Sequence, residues 1–129
     1  MRQSVEYTIM SGKGSTGVGS NIYCQDFRHA VISFSTTGSA NCTIKFAGSI
    51  ATDSPDFSAA QSPTNLYDFM EVKDLQDGSA IDGDVGITLA GTDDNRIFEM
   101  NINGLQWLNA RLTAWAAGAI TVKVRLYND

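Results

Sequence analysis

Nucleophilic catalysis needs a base within hydrogen-bond reach of the nucleophile, and the chain contains one histidine, His29. His29 lies in a stretch of alternating apolar residues, directly after Arg28 and three residues after Asp26. A Ser, His and Asp grouping could therefore form only around this position. The Gly-x-Ser-x-Gly turn that exposes a nucleophilic serine is missing, so a half-exposed strand histidine is the favoured interpretation. We predict no catalytic residues and no enzyme activity.

A glycine-rich segment follows the first alternating stretch and has the spacing of a dinucleotide-binding loop. Gly12, Gly14 and Gly17 supply that spacing, but the loop must open a helix whose N-terminus meets the pyrophosphate. The next residues include Gly19 and Ser20, which do not favour a helix there. A loop over 11–21 that is either flexible or ordered by a partner fits the sequence better. The predicted partner-contact residues of this loop are Gly12, Lys13, Gly14, Ser15 and Gly17.

Acidic residues gather in one turn-rich region, where their oxygens could in principle bind calcium. An EF-hand loop needs acids at alternate positions and a glutamate at its twelfth, and neither condition is met. A solvated acidic turn is therefore expected, and we predict no metal and no cofactor. The residues concerned are Asp74, Asp77, Asp82 and Asp84.

The two cysteines, Cys24 and Cys42, form no CxxC motif and have no histidine pair, which argues against a zinc site. The chain starts directly in a strand pattern without a recognisable leader, so we expect folding in a cytoplasm. From that expectation we predict two reduced, buried thiols. A disulfide between them remains an alternative if the two residues are adjacent in the fold and oxidised. No apolar run approaches the roughly 20 residues that cross a bilayer, so no membrane partner is predicted.

The charge pattern argues against nucleic acid as a partner. The chain has 9 Lys and Arg residues against 14 Asp and Glu, a formal net charge of −5. Binding to a phosphate backbone favours a basic stripe, and the basic residues here are scattered.

Short segments of period-two alternation, separated by Gly, Ser, Asn and Asp, dominate the chain. This pattern is typical of half-buried antiparallel strands, and no segment indicates a helix convincingly. About eight strands can be counted, with no internal repeat and no linker. The sequence therefore predicts an all-β fold, a single antiparallel β-sandwich or jelly-roll domain over residues 1–129.

Two hairpins are predicted within this pattern. Residues 30–34 and 42–46 alternate clearly and are joined by the short link 37–41, although no Asn-Gly or Asp-Gly pair fixes the turn type. Residues 105–126 are the best-patterned part of the chain, and 116–118 are predicted to reverse it. The expected core-facing residues of this second hairpin are Leu108, Ala110, Leu112, Ala114, Ile120, Val122, Val124 and Leu126.

The longest stretch without alternation, 51–65, contains both prolines of the chain. We predict a surface loop with one short helical turn after Asp53 or Ser54, and a second region of partner contact. The predicted contact residues of this loop are Pro55, Phe57 and Pro63.

Trp107 and Trp115 are eight residues apart on the predicted outer face of one strand. Aromatic rings on a sheet face can stack on sugars, so the pair is a candidate carbohydrate platform. Tryptophans on a terminal strand also serve as core or interface anchors, and that alternative stays open.

The segment Gly104-Leu-Gln-Trp-Leu-Asn-Ala-Arg-Leu-Thr-Ala-Trp-Ala-Ala-Gly-Ala-Ile-Thr-Val-Lys-Val-Arg125 resembles the closing hairpin of small β-sandwich virion proteins of tailed bacteriophages. The segments 77–83 and 98–104 fit the same type, and the resemblance spans 66–126. It implies a structural protein of the virion, most simply a capsid decoration or cement protein. Its implied partners are the major capsid protein and further copies of itself, with a trimer favoured. A tail or head-tail component and a carbohydrate-binding, host-recognition sandwich remain alternatives.

Overall fold

The computed structural model describes residues 3–129, and throughout that range the chain forms β-strands, turns and loops without a helix. The predicted all-β class is confirmed. No helix within this range is long and apolar enough to cross a membrane. The strands are β1 (Ser4–Lys13), β2 (Gly17–Val18), β3 (Ile22–Tyr23), β4 (His29–Ser49), β5 (Asp68–Phe69), β6 (Val72–Asp74), β7 (Ala80–Ile81), β8 (Ile87–Ala90), β9 (Asn95–Asn101) and β10 (Trp107–Tyr127).

These ten strands form one antiparallel sheet, where the sequence predicted about eight strands in a sandwich. The main order is β1-β10-β4-β9-β6-β7, and four short strands attach beside this path. Strands β2 and β3 pair with β10, whereas β5 and β8 pair with β4. Every strand except β6 and β7 is therefore hydrogen-bonded to β4 or β10.

Strands β4 and β10 are each 21 residues long and pair with one another along their whole length. Both predicted hairpins are wrong, because neither 37–41 nor 116–118 reverses the chain. Pairing continues through these segments, with Ala117 opposite Asn41 and Ala119 opposite Thr37. Three register shifts lie between 112 and 119: two place one extra residue each in β10, and the third places two extra residues in β4. Such bulges bend a strand instead of ending it.

The two long strands bend sharply where these predicted turns lie. Phe34 and Phe46 belong to the same strand, and a straight strand would separate them by roughly 40 Å. Their rings nevertheless both contact Phe98, with centroid distances of 5.6 and 6.5 Å. The sheet is therefore folded over, and its two halves face each other across the core.

The same face of each long strand lines the core in both halves. In β4 the side chains of the main core have even numbers on both sides of the bend, and most buried residues of β10 also have even numbers. Ala47 and Ser49, near the end of β4, are buried as well, and Ala47 belongs to a separate cluster. The predicted inward-facing set of β10 is buried except for Ala114, which follows a bulge and is exposed. The largest fully buried side chains are Phe34, Phe46, Phe98, Ile32, Ile44, Met100, Ile102, Leu108, Leu112, Ile120, Leu126 and Val122.

Left-handed backbone at the bend allows the two strands to turn together. Gly38 and Gly118 have φ of 74° and 83°, and Ser39 is a non-glycine residue at 56°. A Cβ atom at Gly118 would lie 2.6 Å from Ala40 Cα and 2.7 Å from the Thr37 carbonyl oxygen. Glycine is therefore required at 118 both for its φ and for the close approach of β4.

A carboxylate from the connection between β8 and β9 holds the bend of β4. Asp93 accepts hydrogen bonds from the Ser39 and Ala40 amides at 3.2 and 3.1 Å. The Ala40 and Ser39 amides favour the ionised form, so they lower the pKa of the Asp93 carboxyl from its ordinary 3.8. Next to it, Thr36 Oγ1 accepts the Asp94 amide at 2.8 Å.

We expect Gly118→Ala to destabilise the protein by about 3 kcal/mol or more. The substitution forces an alanine into the left-handed backbone region and makes its Cβ clash with the backbone of β4. Gly91→Ala is the matched control, because Gly91 has φ of 86° but nothing within 4 Å of its Cβ position. The free energy of unfolding of that variant should fall by only about 1 to 2 kcal/mol. Urea unfolding of both variants measures the difference, and equal losses would show that the bend does not require close approach.

We expect Asp93→Asn to destabilise the protein most at neutral pH. The lowered pKa means that the carboxylate contributes its stabilisation above about pH 4 and loses it as the pH falls through the folded-state pKa. The gap in urea midpoint between wild type and variant should therefore shrink from about pH 6 to about pH 2.5. A gap that stays constant over this range would argue against a charged cap on the bend.

Candidate functional site

The glycine-rich segment that was predicted to be a loop is held partly as strand, at 11–13 and 17–18. Strand β1 continues to Lys13, and β2 pairs Gly17 and Val18 with β10. The Gly19 amide donates to the Ala110 carbonyl at 3.0 Å, and a Cβ there would lie 2.3 Å from the Ile9 oxygen. The expectation of a loop over all of 11–21 is therefore corrected. No helix follows the glycines in this part of the chain, so they do not form a dinucleotide-binding loop.

The predicted contact residues of this segment lie at the bend of the sheet. Gly12, Gly14 and Ser15 are exposed, whereas Lys13 and Gly17 are half-buried. Gly14 lies beside the Gly118 carbonyl, so this tip adjoins the bend of β10. Its role in partner contact stays a prediction.

The second predicted contact region, 51–65, lies in a loop over 51–67 that has an ordered internal structure. The half-buried side chain of Asn65 accepts from the Asp56 amide at 2.8 Å and donates to the Asp56 and Ala60 carbonyls at 2.9 and 3.0 Å. The Ala59 amide donates to the Asp56 carbonyl at 3.2 Å, which closes a single turn close to the short helical turn predicted here. The loop is therefore preformed, and its shape does not depend on a partner.

The side chains of this loop divide into buried anchors and exposed residues. Pro55 and Phe57 are buried, while Pro63 is exposed. Phe57 packs on Tyr67 with ring centroids 5.2 Å apart, in a cluster that also contains Ala47. The prediction that Pro55 and Phe57 offer a contact surface is corrected, because both are buried and the Phe57 side chain holds the loop onto the sheet.

Loop 51–67 covers the outer face of the sheet half that contains the start of β10. Arg111 Nη1 lies 3.5 Å from the Phe57 carbonyl oxygen, which connects strand to loop, and Tyr67 donates its hydroxyl to the Ala59 carbonyl at 2.6 Å. Asn109 is buried beneath, where it donates to Asn21 Oδ1 at 2.7 Å. The outer face of this half therefore carries a second, smaller core.

The two tryptophans of β10 have different surroundings and do not form one platform. Trp107 is half-buried, packs edge-on against Tyr23 at 5.1 Å and donates to the Thr52 carbonyl at 3.3 Å. Trp115 is 40 % exposed at the bend and donates its indole N–H to the Gly118 carbonyl at 2.8 Å. Bulges separate them along the strand. Trp107 thus anchors structure, and Trp115 is the tryptophan with an available ring.

Three exposed apolar residues, which we call the end patch, lie on chain segments next to Trp107. They are Tyr23, Ile50 and Leu66, which are 43 %, 72 % and 55 % exposed. Tyr23 and Ser49 pair with Trp107 on either side, Ile50 follows Ser49, and Ser49 Oγ donates to the Leu66 carbonyl at 2.5 Å. No sequence pattern indicates the patch, because its three members come from three segments without a common period.

The groups that could do chemistry occupy structural positions. His29 stacks on Tyr127 with ring centroids 5.0 Å apart, and the carboxylate that it meets is Asp129, at 3.2 Å. Cys24 and Cys42 are buried, unpaired thiols, in agreement with the favoured prediction, and burial raises the pKa of Cys24 to about 12. A thiol with so high a pKa is a poor nucleophile.

The acidic turn region folds through local hydrogen bonds. Asp77 and Asp82 accept the amides of Ser79 and Asp84, each two residues ahead, at 2.9 and 2.8 Å. Asp74 is buried and forms an ion pair with Arg96. Among residues 3–129, no three His, Cys, Asp or Glu side chains are grouped so that they could hold a metal ion.

We expect Asn65→Ala to open loop 51–67 without unfolding the sheet, because the side chain supplies three hydrogen bonds inside the loop. Amide hydrogen exchange over 56–65 should accelerate by about tenfold or more, while exchange at Phe98 stays unchanged. Thr64→Ala is the control, since Thr64 is exposed and its hydroxyl meets only Ser62 Oγ, at 3.3 Å. Equal exchange in the two variants would contradict the assignment of Asn65 as the centre of the loop.

Known structures share the fold of this chain, but no known family matches its sequence. No protein-family model matches the chain, and no curated protein matches it. The solved structure of SPBc2 prophage-derived protein YomS is similar with a TM-score of 0.75 at 14 % identity, covering 99 % of this chain and 96 % of YomS.

PBSX exported protein XepA is similar with a TM-score of 0.72 at 12 % identity, and the match covers 98 % of this chain. It covers 38 % of XepA, so the chain corresponds to a little over a third of that protein. Identities this low show a common fold. The folded ten-stranded sheet is therefore an architecture that this chain shares, almost end to end, with a prophage-derived protein.

Proposed function

We propose that this chain is a non-enzymatic structural protein of a phage particle, and specifically a capsid decoration or cement protein. The observation that carries the proposal is the similarity to prophage-derived YomS over 99 % of this chain and 96 % of that one. The resemblance of 66–126 to virion β-sandwich proteins supports it independently. The proposed partners are the major capsid protein and further copies of this chain, and the proposed location is the virion.

The geometry suits a protein that acts through a preformed surface. Loop 51–67 is fixed by Asn65 and by the buried Phe57, and the segment after Lys13 is fixed by pairing with β10. Binding with surfaces that are already ordered avoids the entropy cost of ordering loops at the interface. A decoration protein, which stabilises a shell by buried area and shape, benefits directly from such rigidity.

We assign the main shell contact to the end patch. Exposed aliphatic and aromatic side chains on neighbouring segments, such as Tyr23, Ile50 and Leu66, are typical of protein contact surfaces. Pro63 and the exposed residues of the tip at 12–15 are secondary contacts in this proposal. Phe57 contributes indirectly, since it positions the loop that carries Leu66.

The proposal is tested by adding the purified chain to empty capsids of its own phage and measuring co-sedimentation. Ile50→Glu should weaken binding by about tenfold or more, because it places a charge in the centre of an apolar contact. Val85→Glu is the matched control, since Val85 is 67 % exposed in the acidic turn region outside the end patch. We expect that variant to bind like wild type.

Two negative outcomes are distinguishable in this experiment. Wild-type protein that does not bind capsids overturns the decoration role, and detection of the chain in purified tails would then assign it to the tail or head-tail junction. Wild-type binding that Ile50→Glu leaves intact keeps the decoration role and overturns the end patch as its contact.

A carbohydrate-binding, host-recognition role is the second candidate, and the exposed ring of Trp115 is the observation that favours it. Trp115→Ala should abolish glycan binding in this case, and a thermal midpoint measured on the same variant shows whether it is still folded at the assay temperature. Trp107→Ala is unsuitable for the same test, because Trp107 packs against Tyr23 and the second core. A glycan array that gives no signal with the wild-type protein removes this candidate.

A further inference from the structure

The turn between β9 and β10 is a type II turn whose central residues are asparagine and glycine. The Leu105 amide donates to the Ile102 carbonyl at 2.9 Å, and Gly104, the third residue of the turn, has φ of 94°. Asn103 and Gly104 are both exposed, and nothing lies within 4 Å of a Cβ position at Gly104. The amide of Gly104 donates no hydrogen bond within residues 3–129.

We propose that Asn103 is a site of spontaneous deamidation. Hydroxide removes the Gly104 amide proton, and the nitrogen attacks Cγ of Asn103. A bond from the Gly104 nitrogen to Cγ forms, the bond from Cγ to Nδ2 breaks, and ammonia leaves with a proton from solvent. Water then opens the five-membered imide at one of its two carbonyls, which yields aspartate or isoaspartate. The net reaction consumes one water and releases one ammonia.

Position 103 meets the needs of this reaction better than the other asparagines. Gly104 has no side chain to shield its nitrogen, and glycine rotates most freely into the geometry of ring closure. The seven other asparagines all precede a residue with a side chain. Five of them also use their side chains in hydrogen bonds within the fold, namely Asn21, Asn65, Asn101, Asn109 and Asn128.

The isoaspartate product would alter a turn whose two ends are fixed. Ile102 is fully buried, and Leu105 packs against the core while its carbonyl accepts the Cys24 thiol at 3.7 Å. Isoaspartate adds one methylene to the backbone between these anchors. The hydrogen bond from the Leu105 amide to the Ile102 carbonyl therefore cannot keep its geometry. Ageing of the protein by this route therefore loosens the entry into β10.

The test incubates the folded, full-length protein at mildly alkaline pH and follows the tryptic peptide 97–111 by mass spectrometry. This peptide contains Asn101 and Asn109 beside Asn103, so it carries its own controls. We expect Asn103 to convert at least about tenfold faster than either, a barrier lower by about 1.4 kcal/mol. Conversion should be faster at higher pH, and enzymatic methylation should detect isoaspartate.

Asn103→Gln provides the second arm, because glutamine keeps the amide but would need a larger ring. We expect aged wild-type protein to lose thermal stability and aged Asn103→Gln protein to keep it. Conversion of Asn103 no faster than that of Asn101, or an Asn103 that stays intact while a urea-unfolded sample converts, would overturn the proposal. The readout is independent of capsid binding, so its failure would leave the proposed function untouched.

Discussion

The continuous pairing of β4 with β10 is the interaction on which the rest of the structure depends. The two 21-residue strands stay hydrogen-bonded through a sharp bend, so the pair forms a folded ribbon on which the other strands assemble. Strands β1, β2 and β3 attach to β10, and β5, β8 and β9 attach to β4. Because both halves of the sheet share these two strands, neither half can form its complete pairing without the other.

The bend also determines how the core closes. It brings Phe46 from one half onto Phe98 of the other, and the even-numbered face of β4 lines the core on both sides. Asp93 holds the bend with its carboxylate, and Gly118 admits the close approach of β4. Hydrophobic closure and local backbone geometry therefore act at the same place, which makes this point of the fold sensitive to single substitutions.

A rigid sheet of this kind presents its surfaces from loops and strand ends that are already fixed. The loop over the second core is tied to β10 through Arg111 and Phe57, and the end patch lies on chain segments next to the start of the same strand. Contact surfaces and core are thus built on one element. A protein that binds by shape needs this coupling, since the energy that stabilises the fold also keeps the binding surface in place.

The alternation of side chains by itself determined the all-β class, most of the strands and the inward face of β10. It could not distinguish a hairpin from a bend, because Gly38-Ser39 and Gly118 favour left-handed backbone in either case. Only pairing between residues far apart in sequence, such as Ala117 with Asn41, makes each segment continue as a strand. The same limit applies to Phe57, whose place in a proline-containing loop indicated exposure, while contacts with Tyr67 and Ala47 bury it. Local patterns record which face of a strand is apolar, whereas the partner of that face is decided by long-range packing.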